Sequence, residues 1–186
     1  MKLIKILIFL LISFNLPFKT YSNTNIENIL KEGGKLIFVR HAYAPGGGDP
    51  SNFDVTDCST QRNLNEEGIV QSVNLGIFFT KNQIKVDKVL SSEWCRCKQT
   101  AEYAFKKFET KSFLNSFFSK KFSKNKTKQI KELKEYVNEW NSSKNLVLIT
   151  HYVTILEVTN TAVSSGEMVI TDKNFNVLQR QKISIN

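Results

Sequence analysis

Leu36-Ile37-Phe38-Val39-Arg40-His41 is the stretch that decides the fold. Four consecutive apolar residues without polar alternation describe a strand buried on both faces, the habit of parallel sheets covered by helices. The run stops on a guanidinium and an imidazole. Further along, Leu146-Val147-Leu148-Ile149-Thr150-His151 repeats the pattern: four apolar residues, one spacer, one histidine. The 186-residue chain has no other histidine.

Between these two runs the chain alternates strand and helix signals. Residues 45 to 64 form a long loop that begins Pro45-Gly46-Gly47-Gly48-Asp49-Pro50. Connections of that length are usually functional. A helix is predicted after Asn65, which can cap it, with Glu66 and Glu67 in its electropositive first turn. Ile69, Val73 and Ile77 mark its apolar face. Val86 to Leu90 reads as a second strand, ending at Ser91-Ser92. A second helix starts near Trp94, with Cys97, Ala101, Ala104, Phe105 and Phe108 as its stripe. A third spans Lys126 to Trp140, with Ile130, Leu133, Val137 and Trp140 inward. A short helix follows the second histidine, from Val153 to Thr159. Met168 to Thr171 and Val177 to Ile183 alternate as more exposed strands. Residues 23 to 34 read as a polar lead-in. The pattern predicts one domain over residues 23–186, an α/β fold: a three-layer α/β/α sandwich around a mostly parallel central sheet.

The first 22 residues read differently. Lys2 and Lys5 precede an apolar run from Ile6 to Leu16, and Thr20-Tyr21-Ser22 supplies small residues at an exit. That order is a secretory signal peptide, and the run is shorter than the roughly 20 residues of a membrane span. The expectation is a periplasmic or secreted protein with no span left after cleavage. The formal charge is +9. It favours anionic partners: a small phosphorylated substrate or a phosphorylated component of the envelope. Much of the charge lies between Lys106 and Lys134, read as a solvated helical face. The aromatic residues there read as core, not as stacking platforms, so nucleic acid is not an expected partner. Cys58, Cys95 and Cys97 are the three cysteines. Export permits a disulfide, from Cys58 to either Cys95 or Cys97. Cys95-x-Cys97 is too tight for the usual zinc spacing. No cofactor or metal is expected.

Arginine is scarce, with four against 22 lysines, and three of the four stand beside these features. Arg40 ends the first strand, Arg62 lies in the long loop, and Arg96 follows the second strand. Open parallel sheets bind ligands beyond the carboxyl ends of their strands. Arg40, His41, Arg96 and His151 are therefore expected at one edge. Imidazole titrates near 6.5 and can accept a group covalently. Guanidinium neutralises phosphoryl oxygens bidentately and keeps its charge.

The motifs extend this reading. Leu36 to Ala42 resembles the RHG-type signature of the histidine phosphatase superfamily, which includes the phosphoglycerate mutases and acid phosphatases. Asn63-Leu64-Asn65-Glu66-Glu67-Gly68-Ile69-Val70-Gln71 resembles that family's L-T-x-x-G-x-x-Q segment. Ser91-Ser92-Glu93-Trp94-Cys95-Arg96-Cys97-Lys98-Gln99-Thr100-Ala101 resembles its S-S-x-x-x-R-x-x-Q-T-A segment, and Leu146 to His151 its last strand and histidine. The stretch from Gly48 to Leu64 resembles an exported bacterial subgroup. The resemblance implies a phosphoglycerate mutase-like fold and a metal-independent phosphatase acting on a phosphomonoester or phosphoramidate. His41 would take the phosphoryl group. Arg40, Arg96 and His151 would bind it, with Arg62 in support, and the loop from Ala42 to Cys58 would cover the pocket. A phosphomutase or a non-catalytic phosphoglycan-binding module on the same scaffold are the alternatives. The chain departs from the family at Ala42, which replaces glycine, and at Tyr152, where acid phosphatases carry an acidic proton donor. Glu93, Asp49 and Glu102 are the candidate acids, Glu93 preferred for its place directly after Ser91-Ser92.

Overall fold

The computed structural model describes residues 25–185, so the leader read over residues 1 to 22 lies outside the described residues. The elements run α1 (Ile26–Glu32), β1 (Leu36–Arg40), α2 (Glu66–Lys81), β2 (Val86–Ser91), α3 (Cys95–Phe105), β3 (Glu109–Thr110), α4 (Lys120–Ser123), α5 (Lys126–Glu139), β4 (Asn145–Thr150), α6 (Tyr152–Thr159), β5 (Glu167–Thr171) and β6 (Val177–Lys182). Single 3₁₀ turns occupy Cys58–Thr60 and Ser112–Leu114.

One sheet carries the order β3-β2-β4-β1-β5-β6. β1, β4, β2 and β3 are parallel, while β5 and β6 are antiparallel additions. β1 and β4 are the central pair, in register from Leu36 opposite Leu146 to Arg40 opposite Thr150. That register brings the two histidines out side by side.

Alternate side chains of the central strands feed two cores, which makes the three layers. Ile37, Val39, Val147, Ile149, Met168 and Ile170 pack with α1, α2 and α3. Leu36, Phe38, Leu146, Leu148 and Val169 pack with α5, α6 and the Ser112–Leu114 turn. Each fully buried large side chain stabilises the fold by about 1.5–3 kcal/mol. Both faces of the central strands are thus closed, which leaves their ends as the open side of the sheet.

Several expectations change. The lead-in contains α1, capped by the Asn25 side chain accepting from Glu27 N. Val73 and Ile77 of α2 face solvent, at 39% and 53% exposure. The buried face is instead Gly68, Gln71, Ser72, Leu75 and Phe79. α3 stops at Phe105, where Lys106 turns to a φ of 64°, so Phe108 packs from a loop. β5 is buried along its whole length, bordered by β1 on one side and β6 on the other, and of these last two strands only β6 is mainly exposed. The basic stretch from Lys106 is irregular before it is helical, and Phe113 and Phe117 in it are buried. Among the described residues, no helix is long and apolar enough to cross a membrane.

Candidate active site

His41 follows the last residue of β1, and its N–H donates to Thr150 O at 3.0 Å, prolonging the ladder by one bond. His151 follows β4 and begins α6. The two rings meet edge to face with centroids 5.5 Å apart. Both are buried, at 2% and 3% exposure.

The tautomer of His41 follows from its partners. Nδ1 lies 2.8 Å from Ala42 O. A carbonyl only accepts, so Nδ1 carries the hydrogen and Nε2 keeps a lone pair. Arg96 Nε donates to that Nε2 at 3.1 Å. The lone pair therefore points at a guanidinium. Burial pushes the His41 pKa well below its ordinary value, and the Arg96 charge pushes it the same way. The ring is neutral at neutral pH, the form a nucleophile needs.

His151 is lowered for the same two reasons, burial first and then Arg96. Its Nε2 meets Ser92 Oγ at 2.9 Å and its Nδ1 lies 3.4 Å from Arg96 Nη2. Ser92 is in turn tied to Asn115 Oδ1, and Asn115 Nδ2 donates to Glu93 Oε2 at 2.6 Å. Nδ1 is thus the nitrogen that faces the arginines. Ser92 and Asn115 hold the ring and were not read from the sequence as site residues. Ser92 sits one residue past β2, at the sheet edge already singled out, so its position was a signal. Asn115 gave none, since it lies in the irregular segment.

Arg40, Arg62 and Arg96 line one cavity with both histidines. Arg40 donates to Val163 O at 2.8 Å and lies 5.6 Å from the centre of the Tyr152 ring. Tyr152, the departure noted above, thus provides a face for Arg40. Arg62 donates to Ala44 O and Gly46 O, holding the glycine-rich loop against the site. The Nε atoms of Arg40 and Arg62 are buried without a hydrogen-bond partner. Buried donors left open in this way are a standing attraction for an anion.

One anion is already there. Asp49, from the long loop, sets Oδ1 2.7 Å from Arg96 Nη1 and Oδ2 3.3 Å from Nη2. This is the forked pairing that a phosphoryl group makes with arginine. Its oxygens also accept from Arg62 N and Trp94 Nε1, both at 3.1 Å. Of the three candidate acids only Asp49 lines the cavity. Glu93 is held by Asn115 outside it, and Glu102 is exposed on α3.

The remaining motif residues position the site. Thr100 Oγ1 accepts from Ala42 N and donates to Arg96 O, linking the turn after β1 to α3. Ala42 keeps a negative φ and is buried, so its methyl causes no backbone strain. Gln71 accepts from Tyr43 N and donates to Ser165 O and Ile183 O. Gly68 is required because a Cβ there would sit 2.0 Å from Tyr43 O. Cys58 pairs with Cys95, which fastens the long loop to the start of α3. Cys97 remains free and buried, its pKa pushed up to about 12 by burial.

The family model for the histidine phosphatase superfamily, branch 1, matches residues 36–160. A search of curated proteins finds no match. Among solved structures, the protein histidine phosphatase SixA complexed with tungstate is similar at a TM-score of 0.57 and 16% identity, over 81% of this chain and 97% of that one. A Thermus thermophilus protein is similar at 0.55 and 16%, over 80% and 99%. An open reading frame product of Mycobacterium tuberculosis is similar at 0.55 and 13%, over 81% and 96%.

Proposed function

The chain belongs to the histidine phosphatase superfamily, branch 1, and on that premise we propose that it hydrolyses a phosphomonoester or phosphoramidate through a phosphohistidine on His41. The observation that carries this reading is the His41 Nε2 lone pair, directed at Arg96 within a cavity that Arg40 and Arg62 also line. A phosphoryl group entering there would displace Asp49 from the Arg96 fork. Its oxygens would be met by the three guanidiniums, and by His151 Nδ1 once that nitrogen carries a proton. Nε2 would attack phosphorus, and water would then release phosphate from the imidazole. Charge is met by arginine, so the reaction calls for no metal. That SixA shares the fold and takes tungstate, an oxyanion, supports an anion-binding role.

The test is phosphate release from p-nitrophenyl phosphate with a chelator present. His41→Ala is expected to lower kcat by about 10³-fold or more, the scale seen when a nucleophile is removed. Equal rates in the two proteins would remove His41 from the reaction.

We also propose that the protein works outside the cytoplasm, in the periplasm or beyond. The basic, apolar, small-residue order of residues 1 to 22 supports this, as does the pairing of Cys58 with Cys95. N-terminal sequencing of the exported protein is expected to begin at Asn23. An intact Met1 would overturn the proposal.

A further inference from the structure

We infer that the substrate of this site is an aryl phosphate, the phosphate ester of a phenol, whose ring seats on a wall formed by Phe53, Trp94, Phe118 and Phe122. This rests on the phosphatase reading above. Two independent features of the cavity lead to it.

The first is what lies beside the arginines. The cavity holds about 680 Å³, a volume suited to a ligand much larger than a phosphoryl group. The rings of Phe53 and Trp94 stack with centroids 4.9 Å apart. Phe122 meets both edge to face, at 5.6 and 5.4 Å. Trp94 also meets His151 edge to face at 5.4 Å, so the wall begins where the phosphate cradle ends. Phe118 lines the same cavity yet is 76% exposed. An apolar ring left at the mouth of a cavity has surface to gain from an aromatic ligand.

The second is the treatment of the leaving group. Among the described residues, Asp49 is the sole carboxylic acid lining the cavity. Its two oxygens accept four hydrogen bonds, from Arg96 twice, Arg62 N and Trp94 Nε1. The bonds from Arg62 N and Trp94 Nε1 engage one oxygen each without Arg96, so when phosphate takes the fork both oxygens still accept and neither is placed to hand a proton to a leaving group. Phenols ionise near 10, whereas alkoxides are about as basic as hydroxide, near 15.7. A phenolate departs without a donor far more readily. Lys121, on the same wall with Nζ 5.4 Å from the Phe122 ring, favours a group that departs as an anion over neutral imidazole.

In the transfer, the His41 Nε2–P bond forms as the P–O(aryl) bond breaks. The aryloxide leaves with the electron pair and takes its proton from solvent. Water then bonds to phosphorus, the electron pair of the P–N bond returns to Nε2, and the water proton goes to the released phosphate.

The experiment compares kcat/KM of the purified protein on 2-naphthyl phosphate, n-butyl phosphate, N-phosphoimidazole and acetyl phosphate. Naphthyl phosphate is expected to exceed butyl phosphate by at least about 100-fold and to exceed N-phosphoimidazole. In Phe118→Ala and Phe122→Ala the naphthyl-to-acetyl ratio is expected to fall at least fivefold, through KM. Phe118 is exposed, so its variant reads the ratio even if Phe122→Ala fails to fold. A ratio unchanged in Phe118→Ala, or a preference for N-phosphoimidazole, would overturn the inference and leave the phosphatase reading standing. No turnover of any of the four substrates would overturn both.

Discussion

Asp49 and Arg96 show how much of this site is decided between two side chains. The carboxylate makes a forked pair with the guanidinium at 2.7 and 3.3 Å. Phosphate must break that pair to enter. Asp49→Asn removes the competing charge and keeps the side-chain size. It is expected to tighten competitive inhibition by inorganic phosphate about tenfold, which corresponds to about 1.4 kcal/mol, within the range of a charged hydrogen bond. An unchanged inhibition constant would mean that the two anions do not share one place. At this scale the sequence was informative about the cationic half of the site, because arginine is scarce, two of the four stand by strand ends and a third lies in the long loop. It was less informative about the acidic half, where Asp49 was one of three candidate acids and Glu93 the preferred one. Asp49 lies 45 residues or more from Trp94 and Arg96 in the chain, and nothing local to Gly48-Asp49-Pro50 announces a guanidinium partner.

The elements divide in the same way. Strands β1 and β4 were legible because a four-residue apolar run buried on both faces has one natural place, the middle of a covered sheet. α2 was legible as a helix but not for its inward face. Ile69, Val73 and Ile77 have the right period, yet the helix turns Gly68, Ser72 and Leu75 inward. Small residues let backbones approach: a Cβ on Gly76 would sit 2.3 Å from Ala104 O of α3. Close helix packing decided the face, and periodicity could not foresee it. The loop from Ala42 to Leu64 is organised by contacts absent from any local pattern. Gln61 Nε2 donates to Asp54 O and Val55 O, and its Oε1 accepts from Cys95 N. The disulfide closes a separation of 37 residues across this loop and α2. Chain-entropy arguments give such a link about 4 kcal/mol. A Cys58→Ala, Cys95→Ala variant is therefore expected to unfold at lower denaturant concentration, with its stability reduced by 2–5 kcal/mol. A stability within 0.5 kcal/mol of the parent would mean that the loop is held by its hydrogen bonds alone.

Over the whole molecule, the site makes stability depend on pH. His41 and His151 have folded pKa values well below 6.5, chiefly through burial. Above about 6.5 both rings are neutral in the folded and unfolded chain, and neither contributes a pH dependence. Below it the unfolded chain takes up protons that the folded chain refuses, so stability falls as pH falls, until the folded pKa values are reached. The slope is at most about 1.4 kcal/mol per pH unit for each ring. The urea midpoint is expected to drop between pH 7.5 and 5, and His41→Asn with His151→Asn to flatten that dependence. An equal slope in the double variant would place the titrating groups elsewhere. The sequence by itself determined the layered α/β fold, the strand ends that carry histidine, and the cations available to meet an anion. It did so because burial on two faces, and the rarity of a residue type, are written locally. Only the tertiary structure decided which loop acid fills the Arg96 fork, which rings line the cavity beyond His151, and which cysteine Cys58 joins. Those are contacts between residues distant in the chain, set by the packing of whole elements, and no spacing along the chain encodes them.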